Sequence, residues 1–93
     1  MTDTFVINYI DKKISESKDI NCIVYTYYEL KIKNNLNDDE IQRFLEINKD
    51  YFENKGYNVY FTGDRFTYNN ANIMVQDNEL MIAVKEEQEW VIC

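Results

Sequence analysis

The stretch LNDDEIQRFLEINKDYFENKGY, residues 36–57, decides how the rest of the chain must be arranged. Asn37 suits the cap of a first helical turn, with Glu40 three residues on to reach back to it. Leu36, just outside, is spaced to pack on Ile41, so box and staple signals coincide. At the far end Gly56 suits the left-handed residue that stops a helix, and Tyr57 beyond it is placed to touch Phe52. A helix over 38–55 is predicted. Its apolar stripe is Ile41, Phe44, Leu45, Asn48, Tyr51 and Phe52, with Ile47 at the margin, and it is broad enough to cover a sheet. Asp39, Arg43, Glu46, Asp50 and Glu53 fall on the opposite face at steps of three and four, so the acids form an outward ridge.

A helix with one wide apolar face needs a partner layer, and the flanking sequence supplies strands. INCIVYTYYELKIK (20–33) alternates, with Ile20, Cys22, Val24, Thr26, Tyr28, Leu30 and Ile32 on one side and Asn21, Ile23, Tyr25, Tyr27, Glu29, Lys31 and Lys33 on the other. It reads as one long strand, with Ile23, Tyr25 and Tyr27 covered and Lys31 and Lys33 open. YNVYFTG reads as a second strand, and GDRFTYNN as turn residues around a short third one centred on Phe66 and Tyr68. ANIMVQ and ELMIAVK flank Asp77-Asn78 as the arms of a hairpin. Phe5, Val6, Tyr9, Ile10 and Ile14, behind a cap at Thr2 or Asp3, have the spacing of an N-terminal amphipathic helix.

The expected architecture is α+β and two-layered: a mixed or antiparallel sheet of four to five strands, one long amphipathic helix packed on it, and a shorter N-terminal helix at an edge or on the other face. A strand–helix–strand unit from residue 20 to 62 would make a right-handed parallel crossover. Residues 1–93 are expected to form a single acidic domain, with Trp90, Val91 and Ile92 docked on it or on a second copy.

Composition narrows the function. An apolar fraction of 45% and an aromatic fraction of 15% are enough for a core, and eight of the aromatics are tyrosines, which tolerate half-wet positions. The net charge is −7, and all of the excess lies beyond residue 35, a distribution that repels nucleic acid and anionic membranes and attracts basic proteins. No leader and no apolar run of about 20 residues is visible, so the protein reads as cytoplasmic in its host cell. Twelve asparagines and no proline or histidine match the usage of an AT-rich genome.

Without histidine the chain lacks the usual neutral-pH base and metal ligand, which removes histidine-dependent triads and most catalytic zinc sites. Cys22 reads as a core residue and Cys93 ends the chain; both are expected to stay reduced. The two glycines, Gly56 and Gly63, build no phosphate loop, and Arg65 beside Gly63 reads as a surface arginine. Paired carboxylates for hydrolysis would have to face each other across a cleft, whereas these acids occupy a helix exterior, turns and the tail. Asp77, Glu79 and the tail acids match no metal-binding loop. No catalytic residue, cofactor or metal is therefore expected, and the protein reads as non-enzymatic.

Solvation and the helix dipole account for Asp38, Asp39 and Glu40 in the first turn. Glu46, Asp50 and Glu53 are less well served, because like charges three or four apart repel by about 0.2–0.5 kcal/mol per pair. The alternative is a surface that meets a basic groove: Asp39, Glu46, Asp50 and Glu53 on the helix, Asp77 and Glu79 from the hairpin turn and Glu86, Glu87 and Glu89 beside them, with Tyr25, Tyr27 and Tyr60 as anchors. In size and composition, though in no alignable motif, the chain resembles the small accessory inhibitors of phages and mobile elements, including anti-restriction and anti-CRISPR proteins. That resemblance implies an inhibitor, a nucleic-acid mimic acting on a basic nucleic-acid-processing protein of the host without binding nucleic acid itself. The other expectation is a small homodimeric structural or regulatory protein, joined by a strand edge or the tail.

Overall fold

The computed structural model describes residues 1–85. They run as α1 (Asp3–Glu16), β1 (Cys22–Thr26), a π-helical segment (Tyr28–Lys33), α2 (Asp38–Asn54), β2 (Asn58–Phe61), β3 (Arg65–Tyr68), β4 (Ala71–Met74) and β5 (Glu79–Val84). The class is α+β, with a helical layer packed on antiparallel strands.

Both ends of α2 are fixed by the predicted residues. Asn37 Oδ1 accepts the Glu40 N–H at 2.8 Å and Glu40 Oε1 accepts the Asn37 N–H at 3.1 Å, while Leu36 and Ile41 are buried together. At the other end Gly56 sits at φ +88°, the Tyr57 N–H donates to the Phe52 carbonyl at 2.9 Å, and their rings meet at 5.0 Å. Ile41, Phe44, Asn48 and Phe52 form the buried stripe. Each of its large apolar side chains contributes roughly 1.5–3 kcal/mol by leaving water. Thr2 caps α1 by accepting the Phe5 N–H at 3.1 Å, and Val6 and Ile10 enter the same core as Phe44 and Tyr25. Thus α1 lies beside α2 on one face of the sheet, with Arg43 of α2 bound to Asp3 of α1 at 2.8 Å.

The three-stranded sheet has the order β1-β5-β2, with β5 antiparallel to both neighbours. Met81, Ile82, Ala83 and Val84 are all buried, and only a central strand covered on both faces can use an unbroken apolar run. Ile23, Tyr25, Val59, Phe61, Met81 and Ala83 face the helices, whereas Cys22, Val24, Tyr60, Ile82 and Val84 face the opposite way. That second face is covered by a hairpin of β3 and β4, whose Phe66 packs with Val75 against Ile82 and Val84. Asn69 and Asn70, at φ +50° and +65°, make its two-residue turn with the hand that matches twisted strands.

Several expectations are corrected. The expected single sheet of four to five strands is five strands divided into sheets of three and two, and the second face carries the hairpin, so the fold is not two-layered. The long strand over 20–33 ends at Thr26, whose Oγ1 accepts the Glu29 N–H at 3.1 Å and starts the π-helical segment. YELKIK fits either period, but only Leu30 is buried and Ile32 is 59% exposed. The deeply buried side of β1 is Ile23 and Tyr25, while Tyr27, expected under cover with them, is 45% exposed. The parallel crossover does form, in split form: β1 and β2 are both antiparallel to β5 and so parallel to each other, α2 joins them, and β5 lies between them. ANIM pairs with β3 and not with ELMIAV, so the hairpin around Asp77-Asn78 is absent; the apolar run of β5 is drawn to the sheet centre instead. The expected docking of Trp90, Val91 and Ile92 lies outside the described residues.

Candidate functional site

The outward face of α2 carries Asp39, Glu46, Asp50 and Glu53, all solvent-exposed, along roughly 21 Å at 1.5 Å per residue. Bases that would neutralise it are engaged elsewhere: Arg43 with Asp3 at 2.8 Å and Lys31 with Asp38 at 3.2 Å. Lys49 reaches Glu53 only at 3.8 Å. Asp39, Glu46 and Asp50 have no ion-pair partner among the described residues. The ridge is a row of carboxylates held by a capped helix whose other face is locked into the core.

The remaining sequence-predicted site residues do not join it into one patch. Tyr25 is fully buried, edge-on to Phe44 at 5.3 Å; its removal from water pushes the phenol pKa up, helped by the Glu29 charge. It is a core residue and no partner anchor. Tyr60 is half-buried on the opposite face, stacked on Phe66 at 4.4 Å. Tyr27 stands exposed beyond the end of β1. Asp77 is exposed, whereas the Glu79 carboxylate accepts the Gln76 N–H at 3.0 Å and closes its own turn. Glu86, Glu87 and Glu89 lie outside the described residues. Among the described residues no cluster of acids and cysteines has metal-ligand geometry. Burial raises the Cys22 thiol pKa, with Asp19 and Glu79 adding to it, the reverse of an activated nucleophile.

Sequence reading missed a cavity of about 680 Å³ along the β1 edge, lined by Lys12, Lys13 and Glu16 of α1, Cys22, Val24 and Thr26 of β1, and Tyr28 and Lys33 of the π-helical segment. A polar knot forms one wall. Tyr9 Oη donates to the Glu29 carboxylate, Lys13 Nζ holds both Glu29 oxygens at 2.8 Å, and Asn34 Nδ2 donates to the Glu29 carbonyl at 2.7 Å. Burial pushes the Tyr9 phenol up, and the Glu29 carboxylate that it serves adds to the shift. Tyr28 on the rim is 60% exposed. The signal for this site was two local charge groups, Lys12 and Lys13 with Glu16 on α1 and Glu29 with Lys33 four residues on, which reading 20–33 as one strand left on separate elements.

The expected inhibitor surface is therefore reduced to the α2 ridge, with the β1 edge as a second, separate surface. No protein-family model, curated protein or solved structure matches the chain.

Proposed function

We propose that this protein is a non-enzymatic protein-binding inhibitor whose α2 ridge meets a basic surface of a nucleic-acid-processing protein, in the manner of the mimics that phages and mobile elements make against restriction or CRISPR systems. One observation carries the reading: Asp39, Glu46 and Asp50 point outward from a rigid helix with no ion-pair partner among the described residues. Carboxylates left in that state do little for the fold and raise the rate and orientation of encounter with arginines and lysines. Four acids over roughly 21 Å are sparser than DNA phosphates, at about 3.4 Å per strand, so the ridge would match selected cations and not a whole groove.

The experiment is a capture from host extract at low and high salt, followed by titration of the captured protein with wild type and with Glu46→Lys, Asp50→Lys and Glu53→Lys combined. The expected result is a salt-sensitive basic partner whose binding the triple reversal abolishes while the domain stays folded. Unchanged affinity of the triple variant ends this reading.

A second reading, a small homodimeric structural or regulatory protein, is supported by the uncharged edge of β1.

A further inference from the structure

In an antiparallel ladder the backbone groups of alternate residues point to the neighbouring strand and those between them point away. On β1 the phase is fixed at both ends: the Lys85 N–H donates to the Asn21 carbonyl at 2.8 Å, and the Tyr27 N–H donates to the Asn78 carbonyl at 2.8 Å. Asn21, Ile23, Tyr25 and Tyr27 therefore spend their backbone groups on β5 and the turn before it. Cys22, Val24 and Thr26 turn theirs outward, and these are the three β1 residues that line the cavity. The Cys22 N–H is taken by the Asp19 carbonyl at 3.2 Å, and both Val24 groups, the Cys22 carbonyl and the Thr26 N–H face the opening.

Such edges are normally blunted by lysine, proline or a covering segment. CIVYT holds neither a charge nor a proline, and no described strand pairs with its outer side. The other edge of the sheet is treated differently. Asp64 on β2's turn accepts the Phe61 N–H at 2.8 Å and returns its own N–H to the Phe61 carbonyl at 2.9 Å, closing that edge at one end.

We propose that β1 pairs antiparallel with β1 of a second copy about a two-fold axis at Val24, joining two three-stranded sheets into one of six. This deepens the second reading above and is independent of the acidic ridge. Val24 would face Val24 of the partner subunit, and Cys22 would face Thr26 of the partner subunit, so both Val24 groups, the Cys22 carbonyl and the Thr26 N–H would find mates. Charge makes the edge self-complementary. Glu16 and Lys33 both line the cavity; in the chain Glu16 ends α1 ahead of the loop that leads to Cys22, and Lys33 ends the π-helical segment that follows Thr26. Lys13 is already consumed by Glu29, while neither Glu16 nor Lys33 has an ion-pair partner among the described residues. The two-fold brings Glu16 onto Lys33 of the partner subunit, and the reverse, in the pairing that an isologous interface demands.

Light scattering over a concentration series of the full chain tests the pairing. Wild type is expected to dimerise, Lys33→Glu to raise the dissociation constant roughly tenfold through two symmetric repulsions, and Glu16→Lys added to it to restore the dimer. Thr26→Cys in a Cys93→Ser background supplies a register-specific readout. A hydrogen-bonded antiparallel pair holds its Cα atoms about 5.5 Å apart, within disulfide reach. Oxidised glutathione, taking up the two thiol hydrogens, should convert this variant into a covalent dimer, and a further Cys22→Ser should prevent it. A monomer at every concentration overturns both the pairing and the second reading. A dimer that is indifferent to the charge reversals and gives no crosslink overturns the pairing alone.

Discussion

Lys13 on α1 and Glu29 on the π-helical segment form a two-pronged contact, with Nζ 2.8 Å from each carboxylate oxygen. Both side chains are largely shielded, at 25% and 16% exposure, so the contact is worth more than an open surface pair. Tyr9 donates to the same carboxylate, which makes Glu29 the clasp between the N-terminal helix and the segment where the expected long strand ends. Glu29→Ala is expected to lower stability by about 1.5–3 kcal/mol, because it strands a lysine and a phenol at once. Urea denaturation measures it, and a midpoint within experimental error of wild type would show that solvent replaces the clasp.

The capped helix was legible in the sequence because each of its signals is local. Asn37, Glu40, Gly56 and Tyr57 act within a turn or two of the residues they serve, and all four do so here. The partners of the strands were not legible, because pairing depends on which apolar run wins the sheet centre. Leu80 to Val84 won it, which displaced ANIM to the hairpin and left β1 as an edge. The length of β1 was misread for a related reason. The pattern from Tyr28 to Lys33 satisfies a period of two, and only the Thr26 hydroxyl on the Glu29 N–H and the burial of Leu30 select the helical turn. For the candidate site, exposure of the α2 acids followed from helix geometry, whereas the placement of Tyr25 in the core and Tyr60 under Phe66 required knowing both layers.

Asn48 is the one polar residue in the buried stripe of α2. Its Nδ2 donates to the Phe44 carbonyl at 2.7 Å, and Oδ1 has no partner among the described residues. A buried acceptor without a donor costs about 1–3 kcal/mol, and a leucine has a similar branched outline with no polar atom to desolvate. Asn48→Leu is therefore expected to raise stability by about 1 kcal/mol. Thermal and urea midpoints check this. A loss would mean that the extra volume strains the packing around Phe44 and Phe52, and Asn48→Ala, which adds no volume, separates the two causes by remaining neutral or better.

Burial raises the phenol pKa of both Tyr9 and Tyr25, and the Glu29 carboxylate adds to each shift. The linkage has one sign. With the folded pKa above the unfolded value, the folded state holds its proton longer, so this contribution is complete below the ordinary phenol value of about 10 and is lost as pH rises above it. Stability is expected to be flat with respect to these groups through neutral pH and to fall steadily on the alkaline side, with the two phenols ionising only as the chain opens. Phenolate absorbance followed beside circular dichroism tests this: the late fraction of the absorbance change should coincide with loss of structure. Tyr25→Phe removes a hydroxyl that has no hydrogen-bond partner among the described residues, so it should leave neutral-pH stability unchanged or improved and reduce the alkaline loss. Full ionisation of every tyrosine while the helical signal stays intact would show that these rings are reached by hydroxide in the folded state.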